Sequence, residues 1–199
     1  MLARSEAVQR AWDMAVWRVM VTCKLPVSPV DDFRIAVRKA ERRLFLYEGE
    51  RLLRIYRVGL SARGDGPRRT WADELTPEGT FLIASMQYQS VFGPRQMLLE
   101  TTAQSLADYA AEYGAEGRGR IRDWEARHGP LDTIWEVYDF NKAHPTAPIW
   151  NDILIHGGGS DRDWTLGCVA LDNADVIELF DLLHRSRGRG LGVPVTIVP

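Results

Sequence analysis

Residues 155–173, IHGGGSDRDWTLGCVALDN, form the segment of the chain that is richest in chemically active residues. His156 ends a short apolar run that is typical of a buried strand, and three glycines follow it. Cys168 stands in a Gly-Cys step before a second apolar run and a helix N-cap. A thiol with an ordinary pKa of about 8.5 is only slightly ionised at neutral pH, so a nearby histidine is needed to take its proton. The pattern therefore predicts a cysteine nucleophile, Cys168, with His156 as its general base.

Other chemistries fit this segment less well. The glycine run resembles the oxyanion loop of a serine esterase, but Ser160 does not stand in the Gly-x-Ser-x-Gly turn that such enzymes require. One histidine and one cysteine are too few to hold zinc, so we expect neither a metal nor another cofactor. The remaining alternatives are a buried, inert thiol at Cys168 and a hydrogen-bonded structural histidine at His156.

Three separated motifs resemble the L,D-transpeptidase catalytic domain of bacterial cell-wall enzymes (YkuD type). The family has a strand that ends in Ile-His-Gly, a Ser/Thr-x-Gly-Cys-Ile/Val motif and an upstream Thr-Pro-x-Gly-x-Phe motif. In this sequence they are residues 155–157, 165–169 and 76–81. The resemblance covers about residues 33–199. Most members have His at the position of Leu166 and Arg at that of Ala170, and a subset shares the Thr-x-Gly-Cys-Ile/Val-Ala form found here.

The resemblance implies a two-step acyl transfer on peptidoglycan stem peptides. Cys168 would attack the carbonyl that follows the L-centre of diaminopimelate, expel D-alanine and form a thioester. An amine of a neighbouring stem or of a wall-anchored protein would then resolve the thioester, with His156 as base and later acid. The backbone N–H groups of Gly167 and Cys168 would form the oxyanion hole. The residues expected to shape the substrate site or the loop that holds His156 are Gly157, Asp163, Trp164 and Thr165.

Two alternatives remain open at this point. Water could resolve the same thioester, which would make the protein an L,D-carboxypeptidase or an amidase that releases a wall-linked protein. A protein of another class, a cell-wall-binding module with a vestigial site, would keep the fold without turnover.

The hydrophobic pattern outside this segment predicts a protein that is mostly β with a few helices, of the α+β class. Period-two alternation indicates three antiparallel strands between residues 33 and 60. Further strands are expected at residues 79–84, 152–156 and 193–198, and helices at 105–113 and from Asp172 or Asn173 to about 188. Together with the resemblance, this predicts a sheet-rich or β-sandwich catalytic domain with a helical insertion.

The chain divides into two predicted parts. Residues 1–30 are expected to form an N-terminal helix or leader plus a linker, and residues 31–199 the catalytic domain. An insertion at about 85–150 is expected to flank the cleft near His156 as a lid, with a Gly/Arg-rich break at 114–120.

Composition and charge limit the partners. The 199 residues include 25 basic and 27 acidic side chains, a formal net charge of −2, so we expect no nucleic-acid partner. No apolar run approaches the roughly 20 residues of a transmembrane helix. Charges at Glu6, Asp13 and Arg18 interrupt any export signal, so the periplasmic or cell-envelope location is implied by the resemblance alone.

Overall fold

The computed structural model describes residues 32–68, 70–186 and 188–199. The helix or leader and the linker predicted for residues 1–30, and with them Cys23, lie outside the described residues.

Strands dominate the described part of the chain, and one sheet contains all the named strands. They are β1 (Phe33–Arg38), β2 (Arg43–Glu48), β3 (Arg51–Arg57), β4 (Gly79–Gln87), β5 (Gln96–Glu100), β6 (Leu154–His156), β7 (Val169–Ala170) and β8 (Pro194–Val198). The helices are α1 (Thr102–His128), α2 (Ile134–Ala143) and α3 (Asn173–His184). The strand order is β3-β2-β1-β8-β4-β5-β6-β7. This architecture confirms the predicted class, mostly β with a few helices.

The first three strands form the antiparallel meander that their alternating pattern predicts. Phe33 pairs with Glu48 and Arg43 pairs with Arg57. On β1, Ile35 and Val37 are buried in the main core, whereas Arg38, the last residue of the strand, is exposed. Alternation of this kind places one face of a strand on the core and the other toward solvent.

Strand β8 joins the two halves of the sheet. It pairs in parallel with β1, where Ile35 faces Val195, and antiparallel with β4, where Phe81 faces Val195. Strands β1–β3 therefore lie on one side of β8, and β4–β7 lie on the other.

The sheet curls until its two edges meet. Although β3 and β7 are opposite edges of the sheet, Gly59 after β3 forms an antiparallel bridge with Ala170 of β7. A second bridge joins Ser61 to Thr165. The curl therefore brings the segment between β3 and β4, residues 58–78, against the strand that follows Cys168.

Two hydrophobic cores stabilise the structure. The main core lies between the sheet and α3, whose fully buried side chains are Val176, Leu179, Phe180 and Leu183. The second core lies inside the α1–α2 hairpin and includes Tyr109, Leu131, Val137, Phe140 and Ile149. The hairpin therefore has its own apolar interior, separate from that of the sheet.

The structure of the α1–α2 hairpin differs from the one that the sequence predicts for this segment. The expected break over residues 114–120 is wrong in extent, because only Gly114 leaves helical geometry, with φ of 57° and ψ of −132°. The helix resumes after this kink, and Ile121 and Trp124 then pack on the second core. Helix α2 and strands β5 and β7 have no counterpart in the sequence-based prediction.

None of the helices in the described ranges is long and apolar enough to cross a membrane.

Candidate active site

The neighbouring parallel strands β6 and β7 bring the two predicted reactive residues together. Ile155 pairs with Val169 and His156 with Ala170, so Cys168 lies beside Leu154, two residues before His156 on the next strand. The Leu154 N–H donates to the Cys168 Sγ at 3.4 Å, and the thiol donates to the Asp152 carbonyl at 3.5 Å. The sulfur is therefore held by the backbone of β6 and the residues before it.

Cys168 is a neutral thiol in this arrangement. Burial raises its pKa to about 11, and the negative charge of Asp152 acts in the same direction. The Leu154 N–H and the positive charge of Arg68 oppose this effect and lower the pKa. A thiol with such a pKa needs a base that removes its proton as it attacks.

His156 has the protonation state that such a base requires. Its Nδ1 lies 2.6 Å from the Gly157 carbonyl, and because a carbonyl only accepts, Nδ1 carries the proton and Nε2 is the basic nitrogen. Burial lowers the pKa of His156, although the bond to Gly157 raises it in part. The imidazole is 1% exposed and lies between the rings of Phe92, at 4.9 Å, and Trp164, at 5.5 Å.

The glycine loop after His156 is fastened to the N-terminus of α3. The Gly158 N–H donates to Asn173 Oδ1 and the Ser160 N–H to Asp172 Oδ1, each at 2.9 Å. A Cβ on Gly157 would lie 2.5 Å from Asn173 Oδ1, so only glycine fits at this position. Asp172, predicted as a helix cap, holds the loop with its side chain and makes no capping bond to its own helix.

Asp163 and Trp164 fasten the loop between His156 and Cys168 to neighbouring parts of the fold. Asp163 accepts hydrogen bonds from Arg42 and from the Leu60 N–H, and these bonds outweigh burial and leave the pKa of Asp163 lowered. The indole of Trp164, which packs edge-on against His156, donates to the Gly159 carbonyl at 3.1 Å.

Thr165 makes two hydrogen bonds around the Gly-Cys step. Its hydroxyl donates to the Cys168 carbonyl at 2.7 Å and accepts from the Gly167 N–H at 3.3 Å. Of the two donors predicted for an oxyanion hole, Gly167 therefore already has a partner. Gly167 has φ of +119°, and a Cβ there would lie 3.1 Å from the Leu75 carbonyl, so a side chain is excluded on both grounds.

An ion pair that sequence reasoning missed lies next to this step. Arg68 Nε donates to Asp108 Oδ2 at 3.0 Å, and the two side chains are 6% and 2% exposed. A Cβ on Gly167 would lie 3.6 Å from Arg68 Nη1, so the guanidinium packs against this glycine. Arg68 and Asp108 are 40 positions apart, and no local pattern indicates that they pair.

The segment at about 85–150 contacts the site at two points. Phe92, in the loop between β4 and β5, packs on His156, and Asp108 of α1 binds Arg68. The greater mobility expected of its tip remains a prediction.

Within the described residues, no three side chains of His, Cys, Asp or Glu converge as a metal site would need.

The L,D-transpeptidase catalytic domain family matches residues 32–197, which is most of the chain. The chain therefore belongs to this family, whose members act on peptidoglycan. No curated protein matches the chain.

Several solved structures are similar to this chain at low sequence identity. A mutant of the helical cell shape determining protein Pgp2 from Campylobacter jejuni is 16% identical with a TM-score of 0.50, over 84% of this chain and 47% of that one. An L,D-transpeptidase from Xylanimonas cellulosilytica is 15% identical with a TM-score of 0.44, over 84% and 61%. Bd1075 from Bdellovibrio bacteriovorus is 17% identical with a TM-score of 0.45, over 87% and 50%. The chain thus spans between 47% and 61% of the length of these proteins.

Proposed function

We propose that the protein is a cysteine acyltransferase that acts on peptidoglycan stem peptides. The observation that carries this proposal is that Cys168 directly precedes β7, the parallel neighbour of the strand that ends at His156, and that the imidazole is neutral with Nε2 free of its proton. Family membership supports the substrate class. The half-buried Cys168 is the nucleophile and His156 the proton carrier.

The first step forms a thioester. As the sulfur attacks the carbonyl after the L-centre of diaminopimelate, the S–C bond forms, the C=O electron pair moves to oxygen, and the thiol proton passes to His156 Nε2. The Cys168 N–H and, once it leaves Thr165, the Gly167 N–H stabilise the oxyanion. When the intermediate collapses, the C–N bond breaks and His156 returns the proton to the nitrogen of D-alanine.

The second step resolves the thioester. An amine of a neighbouring stem or of a wall-anchored protein attacks the same carbonyl, His156 takes the proton of the amine, and the C–S bond breaks. The departing sulfur recovers a proton from His156, which restores the neutral thiol. Replacing the amine by water gives the hydrolytic alternative through an identical intermediate.

Mass analysis of products from a defined stem tetrapeptide tests the proposal. A cross-linked dimer with release of D-alanine is the expected result. A tripeptide alone would reassign the site to a carboxypeptidase, and absence of turnover by folded protein would favour a wall-binding module. Cys168→Ala is the inactive control.

We also propose that the protein works in the periplasm or cell envelope, because its substrate lies outside the cytoplasmic membrane. Fractionation of cells that express the native gene tests this location. Purely cytosolic protein would contradict the wall role.

A further inference from the structure

A charged side chain from the segment between β3 and β4 lies next to the Gly-Cys step. The side chain of Arg68 is almost completely buried and packs against Gly167, the residue before Cys168. A buried guanidinium is costly unless it is paired, and here Asp108 pairs with it. The site therefore has a fixed positive charge against the residue that precedes Cys168.

Asp108 is arranged to hold this charge in place. One of its oxygens accepts from Arg68 Nε and the other from Gln104 Nε2 at 2.7 Å, one turn earlier on α1. Both carboxylate oxygens therefore have donors, and the carboxylate is fixed to its own helix. Arg68 thus bridges the α1–α2 hairpin and the Gly-Cys step.

We propose that Arg68 is a positioning residue of the acyl-transfer site, whose fixed positive charge favours the thiolate of Cys168 as it attacks, and that Asp108 of the helical insertion holds it there. This inference rests on the proposed function, and it gives the helical insertion a chemical role. A charge held in a poorly solvated interior acts on its neighbours more strongly than one in water, because little solvent screens it.

The charged and titratable groups that face Cys168 come from different parts of the fold. Asp152 precedes β6 and adds negative charge, His156 on β6 is neutral, and Arg68 adds positive charge. Removing Arg68 and removing Asp152 should therefore change thiol reactivity in opposite directions. A loss of packing would not give opposite signs.

The test is the rate at which neutral iodoacetamide alkylates Cys168, measured from neutral to mildly alkaline pH on the full chain carrying Cys23→Ala. The double variant Arg68→Gln/Asp108→Asn removes both charges without leaving either one buried alone. We expect its alkylation rate to fall several-fold, because the thiolate fraction of Cys168 falls and the higher nucleophilicity of a more basic thiolate offsets this only in part. Asp152→Asn should raise the rate, and Arg68→Lys, which keeps the charge, should retain most of it.

Arg54→Gln is the matched control, since it breaks the exposed ion pair with Glu178 and should leave the rate unchanged. An unchanged rate in the folded double variant would overturn the inference. So would an equally large fall in Arg68→Lys, or a fall rather than a rise in Asp152→Asn.

The outcome is separable from that of the proposed function, because alkylation needs no peptide. If the alkylation pattern holds while the wild type turns over no tetrapeptide, the function is wrong and the charge effect on Cys168 stands. If the wild type forms the cross-linked peptide dimer but the alkylation rate does not depend on Arg68, only this inference fails. If both hold, kcat of the double variant should fall more than KM rises, because the charge acts on the attacking sulfur.

Discussion

At the scale of single residues, the two reacting groups of the resting site, Cys168 and His156, are both uncharged. Burial keeps the Cys168 thiol protonated and His156 neutral, so neither residue is ionised before a substrate arrives. The proton must therefore move during the attack itself, and the general base has to be unprotonated at the working pH.

This requirement fixes the pH dependence of kcat/KM. Burial lowers the pKa of His156 from its ordinary 6.5, so its neutral form persists to lower pH than that of an exposed histidine. We expect kcat/KM to be level near neutral pH and to fall on the acid side with an apparent pKa below 6.5. The measurement is the tetrapeptide reaction across the acid range, and an acid limb above 6.5 would contradict the protonation state assigned to His156.

The two cysteines can be told apart by acylation. The resemblance implies that carbapenems acylate the nucleophile, so wild type and Cys23→Ala should each gain one carbapenem mass, whereas Cys168→Ala should gain none. His156→Ala should still acylate, roughly 10²–10⁴-fold more slowly, because the proton acceptor is gone. Intact-protein mass spectrometry follows the reaction. Labelling that depends on Cys23, or a rate independent of His156, would show that the site is elsewhere.

At the scale of elements, the α1–α2 hairpin is attached to the sheet more weakly than the strands are to one another. Its apolar core is separate, and it meets the site through the Arg68–Asp108 pair. Elements with few shared apolar contacts open at lower free energy than the main core.

We therefore expect backbone amides near Gly114 and in the turn before α2 to exchange with solvent faster than those of β4 and β8. Hydrogen exchange followed by mass spectrometry measures this difference, with α3 as the helical control because its buried face belongs to the main core. Equal protection of hairpin and sheet would mean that the two unfold together.

Elements with strong local patterns could be predicted from the sequence. The meander from Phe33 and helix α3 follow their period-two and helical patterns. Strand β7 has two residues and pairs only through tertiary contacts, so no pattern predicts it. Helix α2 did have a signal, because Thr133 and Glu136 have the Thr-x-x-Glu spacing of a helix N-terminus. In the structure the Thr133 hydroxyl accepts from the Trp135 N–H and donates to the Glu136 carboxylate.

The residues of the candidate site also differ in whether the sequence could predict them. His156 and Cys168 stand in motifs and could be found, and the loop residues Asp163, Trp164 and Thr165 are local to them. Arg68 and Asp108 could not be found, because the curl of the sheet brings the segment after β3 to the Gly-Cys step. Contacts that depend on such closure leave no periodic trace in the sequence.

At the scale of the whole molecule, stability depends on the strand that joins the two halves of the sheet. Ile197 on β8 is 1% exposed and faces both Val37 and Gly79, whereas its neighbour Val198 is 38% exposed. We expect Ile197→Ala to lower the free energy of unfolding by about 2–5 kcal/mol. Val198→Ala, the matched control in the same strand, should cost less than about 1 kcal/mol. Denaturant unfolding compares the two, and equal effects would contradict the central place of β8.

The position of β8 also orders events during synthesis. The ribosome makes β1–β3, then the segment that carries Arg68, then β4–β7 with His156 and Cys168, and only afterwards the strand that unites them. Until residues 194–198 have emerged, β1 and β4 have no common neighbour, and the pairing between distant parts of the chain is incomplete. A nascent chain therefore carries Cys168 before it has the completed sheet, and the two halves of the sheet can first join once β8 has left the ribosome.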